Sequence, residues 1–499
     1  MSLAIVYSRA QSGIESREVM VEVHLAPGMP SLSIVGLPET AVKESKDRVR
    51  SAILNVGFEF PTRRITVNLA PADLPKEGGR YDLPIAIGIL AASGQVPGEL
   101  LERYEFVGEL ALGGGLRRVS GLLPCAIAAA KRGRGIFVPR EDAEQAALSD
   151  AAEVLPAEHL LRVTAHLNGS EPLARLSVDV QEAPPPLLDL GEVKGQFLAK
   201  RALALAAAGG HNLLLAGPPG AGKTMLAQRL PGLLPPLSED EAIETASVWS
   251  LTDNGFDLGA WKRRPFRCPH HSISAAALIG GGSHPMPGEV SLSHNGVLFL
   301  DEFPEFGPRV LDQLREPMET HEVHISRVAA QRRYPARFML IAAMNLCKCG
   351  KLGDPGAICL CSPEQVQRYQ ARVSGPLMDR IDLHVHVNPV PHVELQRDSD
   401  EQTYSKAVRA EVLAAWATQL DRQGMMNAQL TGSNLEQHCV LDAQGRQLLI
   451  DAGTRLGFSA RSHHRILRVA RTIADMDNQL RITGSHLAEA IQYRVSGSL

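Results

Sequence analysis

Apolar residues in the middle of the chain fall into short unbroken runs that stop abruptly at polar side chains. Asn212-Leu-Leu-Leu-Ala216 is one, Val297-Leu-Phe-Leu300 a second, and Arg337-Phe-Met-Leu-Ile-Ala-Ala-Met-Asn345 a third. Continuous runs of this length predict strands buried on both faces, as in a parallel sheet. The first third of the chain mixes short strands with helices. Residues 18–23, 31–35 and 64–69 read as strands, 39–55 as an amphipathic helix closed by Gly57, and 81–94 and 121–132 as Ala-rich packed helices. Residues 195–208 form a further helix that stops at Gly209-Gly210. After about residue 392 the pattern is helical and charged, with helices expected near 402–420, 442–455, 460–476 and 484–494. Glu182-Ala-Pro-Pro-Pro-Leu187 is a stiff, proline-extended linker. These signals divide the chain into residues 1–170, a linker at 171–190, a core at 191–391 and a helical region at 392–499.

Composition narrows the options. A net charge of −4 gives no global basic field, so a polyanion would have to be held by local clusters. Aromatics make up 4% of the chain, which argues against an extended base-stacking platform. No apolar run approaches membrane-spanning length, so no membrane partner is expected. The first residues lack a charged-then-apolar leader, and the seven cysteines are an odd number. A reducing cytoplasm is the expected location.

The loop after the first buried run carries the clearest chemistry. Gly217, Pro218, Pro219, Gly220, Ala221, Gly222, Lys223 and Thr224 fit the pattern G-x-x-x-x-G-K-[ST] between a strand and a helix. The glycines let backbone N–H groups turn inward, and the helix start adds its positive end, which suits phosphates. Lys223 is placed for the β- and γ-phosphates and Thr224 for Mg²⁺. A Gly-rich turn before a helix is the bland alternative, and the strand–loop–helix context disfavours it. The second run ends in Asp301, a candidate for the Mg²⁺ shell, and Glu302, a candidate to polarise the attacking water. The third ends in Asn345, whose amide is a candidate to sense the γ-phosphate or orient the water; a strand-end turn residue is the plain reading. ATP and Mg²⁺ are the expected cofactors.

The order of these motifs resembles the AAA+ ATPases. Arg267-Cys-Pro-His-His-Ser-Ile-Ser274, Gly280-Gly-Gly282, Pro287-Gly-Glu-Val-Ser-Leu-Ser-His-Asn295, Glu302-Phe-Pro-Glu-Phe306 and Ser374-Gly-Pro-Leu-Met-Asp-Arg-Ile-Asp-Leu383 are similar to the magnesium-chelatase-like branch. With its N-terminal region, the whole chain resembles the ComM/YifB family. The resemblance implies an α/β fold: an AAA+ P-loop core with a helical lid, preceded by an α+β Lon-protease-like domain of the ribosomal S5 domain 2 type. It implies that Arg380 is the finger reaching a neighbouring subunit's γ-phosphate and that Arg461 is the second sensor on the lid helix, with Arg315 and Arg372 as fallback fingers. Planar guanidinium groups suit the charge that spreads over a transferring phosphoryl group. The family also implies a homo-hexamer that translocates single- and double-stranded DNA. It would be a helicase promoting branch migration in natural transformation, with recombination or competence proteins as partners.

Within the Lon resemblance, Pro75-Lys-Glu-Gly-Gly-Arg80 lies at the nucleophile loop, and Gly108-Glu-Leu-Ala-Leu112 with Val119-Ser-Gly-Leu-Leu123 near the catalytic Lys. Arg80 stands at the Ser position and Leu123 at the Lys position, so the dyad is absent; Lys76 and Ser120 are decoys. A non-proteolytic domain that shapes an assembly or contacts a partner is expected. Further on, Glu319-Thr-His-Glu-Val-His-Ile-Ser-Arg327 and Arg332-Arg-Tyr-Pro-Ala-Arg337 bracket a turn. The resemblance makes this a pore-lining hairpin presenting Arg327, Arg332 and Arg333 to a phosphate backbone; a solvated charged hairpin is the alternative. Lys262-Arg-Arg264 with Arg267 is a second basic cluster. Cys347, Cys349, Cys359 and Cys361 form two Cys-x-Cys pairs that suit a closed, structural Zn²⁺ site, although C-x₂-C is the commoner spacing. His270 and His271 are expected to hydrogen-bond within their own insert.

Other functions compete with the DNA motor. A chelatase-type motor acting on a non-DNA partner is the runner-up, but that motor lacks the Lon-like domain. Arg80 and Leu123 oppose an ATP-dependent protease, and Lys223, Asp301 and Glu302 oppose a non-hydrolysing scaffold.

Overall fold

The computed structural model describes residues 2–179, 188–282, 285–326, 331–395 and 404–495. The proline linker and Arg327 lie outside these residues.

The chain opens with a long hairpin, Leu3–Ser12 paired antiparallel with Glu15–Ala26 and turned at Gly13. Gly13 has φ +62°, a conformation that only glycine adopts cheaply. Five more strands extend the hairpin into a mixed sheet. Its order is Ser31–Val35, Arg64–Ala70, Glu15–Ala26, Leu3–Ser12, Tyr104–Phe106, Gly135–Pro139 and Val154–Ala157. Helix Asp82–Ala92, buried along its whole length, packs on the opening hairpin, and Thr40–Asn55 packs beside it. The first strand escaped the sequence reading because polar residues are buried on both of its faces: Ser8 lies on the face of Val6 and Ala10, and Arg9, on the other face, is tied to buried Glu105 at 2.6 Å.

The central sheet is entirely parallel, in the order Phe266–Arg267, Gly296–Leu300, Phe338–Met344, Leu213–Ala216, Leu383–His386. Leu213–Ala216 and Gly296–Leu300 are buried at every position, as the unbroken apolar runs require. The helical region, chiefly Tyr404–Gln423, Ala443–Leu456, Ala460–Met476 and Gly484–Val495, shares a core with helix Phe197–Gly209 and the sheet. Its polar ties gather where the strands begin. Arg465 pairs with Asp382 at 2.5 Å just before Leu383–His386, and Thr472 meets His211 at 2.7 Å just before Leu213–Ala216. Asp382 is fully buried. Burial pushes its pKa up, but Arg465 and a hydrogen bond from His211 outweigh that and hold it below the carboxylate range. Among the described residues, no hydrogen bond or ion pair joins this helical region to Lys223, Asp301 or Glu302. The expected lid therefore packs on the starting edge of the sheet, away from its own P-loop.

Candidate active site

Because the five strands run the same way, the polar ends of the three apolar runs emerge together at one edge. The P-loop strand lies between the Asn345 strand and Leu383–His386, at the point where connections reverse direction, which is where open α/β sheets form clefts. The Lys223 ammonium donates to the carbonyls of Gly217 (2.8 Å) and Pro218 (2.9 Å) and to Asn345 Oδ1 (3.2 Å). Burial pushes the pKa of Lys223 down, opposed by Asp301. Thr224 Oγ1 donates to Asp301 Oδ2 at 2.7 Å. A hydroxyl and a carboxylate in contact are the pair that would share one Mg²⁺.

The loop leaves room for a polyphosphate. Gly220 (φ +75°) and Gly222 (φ +92°) would each point a Cβ into open space, whereas a Cβ on Gly217 would sit 2.1 Å from the Val387 carbonyl. The first N–H groups of helix Lys223–Arg229 have no intrahelical acceptor and face the loop. Open glycines, free amides and a cation held only by neutral oxygens fit a phosphate chain.

Glu302 follows Asp301 in a left-handed conformation, φ +52°, and its backbone N–H donates to Asp301 Oδ1 at 2.9 Å. Non-glycine residues in this region are strained and cluster at functional sites. The Glu302 carboxylate, 56% exposed, meets His271 Nδ1 at 3.0 Å. The expectation that His271 hydrogen-bonds within its own insert is corrected: it reaches across to Glu302 instead. His270 does stay within the insert, with Nδ1 2.8 Å from Ser272 Oγ, and its ring lies 4.2 Å from that of His271. The available signal was position: Pro-His-His follows Phe266–Arg267, the strand beside Gly296–Leu300.

The two arginines lie at the opposite edge. Arg380 is 5% exposed, paired with Glu319 at 2.5 Å, and donates to the Pro376 carbonyl at 2.6 Å. Its own carbonyl accepts from Arg465 and from Asn212, at the start of the P-loop strand. Arg461 is exposed and lines a cleft with Asn212, Gly296, Phe338 and Asp382, all at strand starts. Neither reaches the P-loop of its own chain. Of the fallbacks, Arg372 pairs with Glu305 at 2.8 Å and Arg315 lies 3.9 Å from Asp312.

The four cysteines converge. Cys347, Cys349 and Cys359 have sulfurs 3.3–3.6 Å apart, and the set of four lies within 4.8 Å. A tetrahedral Zn²⁺ with bonds of about 2.3 Å needs sulfurs about 3.8 Å apart, so the cluster fits. A hydrogen bond from the Lys351 backbone, followed by those from neighbouring thiols, brings Cys349 down to about 6. The knuckle touches the P-loop: a Cβ on Gly350 would meet Pro219 at 2.7 Å.

The hairpin residues separate. Glu322–Ser326 pairs with Gln331–Pro335, and Arg333 points outward, 62% exposed, beside Glu322. Arg332 corrects the expectation that it faces DNA. It is buried and donates to the Gln11 carbonyl and, at 2.6 Å, to Glu77 Oε1, both in the N-terminal domain. Side chains alternate along a strand, so neighbours 332 and 333 cannot both face the same way. Arg80 is also buried, donating to the Ser120 carbonyl at 2.9 Å, and Leu123 is buried against Leu148, Leu237 and Trp261.

Comparison with known proteins agrees with this geometry. Residues 189–395 match the family described as "Magnesium chelatase, subunit ChlI", residues 21–142 "Subunit ChlI of Mg-chelatase", and residues 402–494 "Magnesium chelatase, subunit ChlI C-terminal". The chain is 51% identical to "Competence protein ComM" of Haemophilus influenzae, over 99% of this chain and 98% of that one. It belongs to the ComM/YifB family of magnesium-chelatase-like AAA+ ATPases. YifB of Salmonella typhimurium is 50% identical and that of Escherichia coli 49%, each over 99% of this chain and 97% of the relative. Membership makes this chain an AAA+ ATPase, so ATP and Mg²⁺ are what the cleft at Lys223, Thr224 and Asp301 is built to take.

Proposed function

We propose that this ATPase works as a ring, hexameric by family resemblance, that drives DNA past its basic hairpins and promotes branch migration when incoming strands recombine. One observation carries the ring: Arg380 and Arg461 lie at the opposite edge of the sheet from Lys223, so each site is completed by another copy packed head to tail. With ATP bound, Glu302 would polarise the attacking water, and Asn345, held by Lys223, would orient it or sense the γ-phosphate. The outward Arg333 and the description of the Haemophilus relative as a competence protein support DNA as the load. Among the described residues, no helix is long and apolar enough to cross a membrane. The N-terminal domain serves without peptidase chemistry, Arg80 standing where a nucleophile is needed.

The test is ATP hydrolysis with and without forked or three-stranded DNA, together with strand displacement. Stimulation of hydrolysis and displacement of the strand are expected. Turnover indifferent to DNA, with no DNA binding, would remove this reading. It would favour the second one, a chelatase-type motor on a protein partner, which the family descriptions support.

The four cysteines would hold a structural Zn²⁺ that stiffens the loop between Asn345 and the P-loop contact at Gly350. A closed four-thiolate site leaves no position open for chemistry. Elemental analysis of the purified chain is expected to find about one zinc per chain; a metal-free, folded protein would refute the site.

A further inference from the structure

The hairpin Glu322–Pro335 is held in two different ways. On the core side Val323, Ile325 and Tyr334 are buried among apolar residues, and the Tyr334 hydroxyl donates to the Pro285 carbonyl at 2.6 Å. On the N-terminal side the contact is narrow. Arg332 reaches the Gln11 carbonyl and Glu77, and the Arg333 carbonyl lies so close to Gly13 that a Cβ there would sit 2.5 Å from it. Cavities of about 930 Å³ and 920 Å³ flank this contact. The first is lined by Glu15, Asp73, His324 and Arg333, the second by Lys43, Arg80, Ser120 and Tyr334. Both are surface clefts, so on this side the hairpin rests on a few discrete contacts and not on a continuous packed wall.

Energetics suggest what such a contact is for. An ion pair with one buried and one partly exposed partner gains little beyond the desolvation and screening that oppose it, so Arg332–Glu77 adds little net stability. What it fixes is geometry. Arg332 and Arg333 are neighbours on one strand, so holding the first inward sets the direction in which the second points outward.

We propose that Glu77 is a positioning residue for the basic hairpin: through Arg332 it fixes the angle at which Arg333 meets a phosphate backbone, and it couples hairpin movement to the N-terminal domain. The loop that resembles a peptidase nucleophile loop has here become the hairpin's anchor. This rests on the reading of the hairpin as the DNA-contacting element. Glu77 is partly exposed and can be changed without emptying a core.

The experiment compares basal ATP hydrolysis with hydrolysis over a range of single-stranded DNA concentrations. Glu77→Gln is expected to leave the basal rate unchanged and to raise the DNA concentration for half-maximal stimulation by roughly tenfold, within the range for directly contacting pairs. Glu77→Asp is expected to recover part of the loss. Combining Glu77→Arg with Arg332→Glu is expected to outperform either single substitution, a rescue that a general structural role would not give. A wild-type DNA response from Glu77→Gln, or a double variant no better than the singles, overturns the positioning role alone. A wild-type chain with no DNA response overturns the DNA reading, and this proposal falls with it.

Discussion

Lys223→Ala is expected to abolish nucleotide binding, whereas Glu302→Gln is expected to bind ATP and stall. The contrast follows from where the two side chains lie. Among the described residues, the hydrogen bonds of the Lys223 ammonium go to carbonyl and amide oxygens inside the loop, with the Asp301 charge nearby. Hydrogen bonds to charged groups contribute about 1.5–3 kcal/mol each, so losing this cation should weaken binding by about a hundredfold or more. Glu302 stands outside the loop, 56% exposed and engaged by His271, and among the described residues it forms no hydrogen bond or ion pair with the P-loop. Removing its charge should spare binding. It should slow hydrolysis by about 10² to 10⁴, the usual contribution of a positioned general base. Binding of a fluorescent ATP analogue and release of phosphate, measured on both variants, separate the two effects. Wild-type affinity in Lys223→Ala, or wild-type turnover in Glu302→Gln, would refute the assignments.

Arg380→Ala is expected to hydrolyse ATP about a thousandfold more slowly, the scale on which a supplied arginine acts in phosphoryl transfer. The variant keeps an intact P-loop and Lys223→Ala keeps an intact Arg380, so in the proposed ring the two lesions would fall on opposite sides of a site shared by two subunits. Mixing them should place some intact arginines against intact P-loops, and activity should partly return. In the single chain Arg380 is buried against Glu319 and donates to Pro376, so engagement of a neighbour's nucleotide requires that ion pair to open. Arg461→Ala, altered at the same edge, is expected to complement Lys223→Ala in the same way. Full activity in Arg380→Ala alone would show that the finger lies elsewhere. Loss of activity without recovery on mixing would show that Arg380 acts within its own chain.

The elements that the sequence revealed best are those whose signals are local. Ala460–Met476 and Ser31–Val35 have the bounds expected from periodicity. The P-loop, Asp301-Glu302 and Asn345 were legible for one reason. Unbroken apolar runs mean a parallel sheet, and in a parallel sheet the residues that end the runs gather at one edge. Leu3–Ser12 was not legible, because its buried Arg9 is paid for by Glu105, 96 residues away, and nothing nearby announces that partner.

By itself, then, the sequence determined the fold class, the triphosphate cleft and the four-cysteine cluster. Each arises from neighbouring residues whose backbone geometry their own composition dictates. Only the tertiary structure decided that the helical region packs where the strands begin, that His271 meets Glu302, and that Arg332 turns inward to Glu77 while Arg333 faces out. In these cases two or more faces were locally equivalent. Which face was buried depended on contacts between segments far apart in the chain, as with Arg332 and Glu77, 255 residues apart.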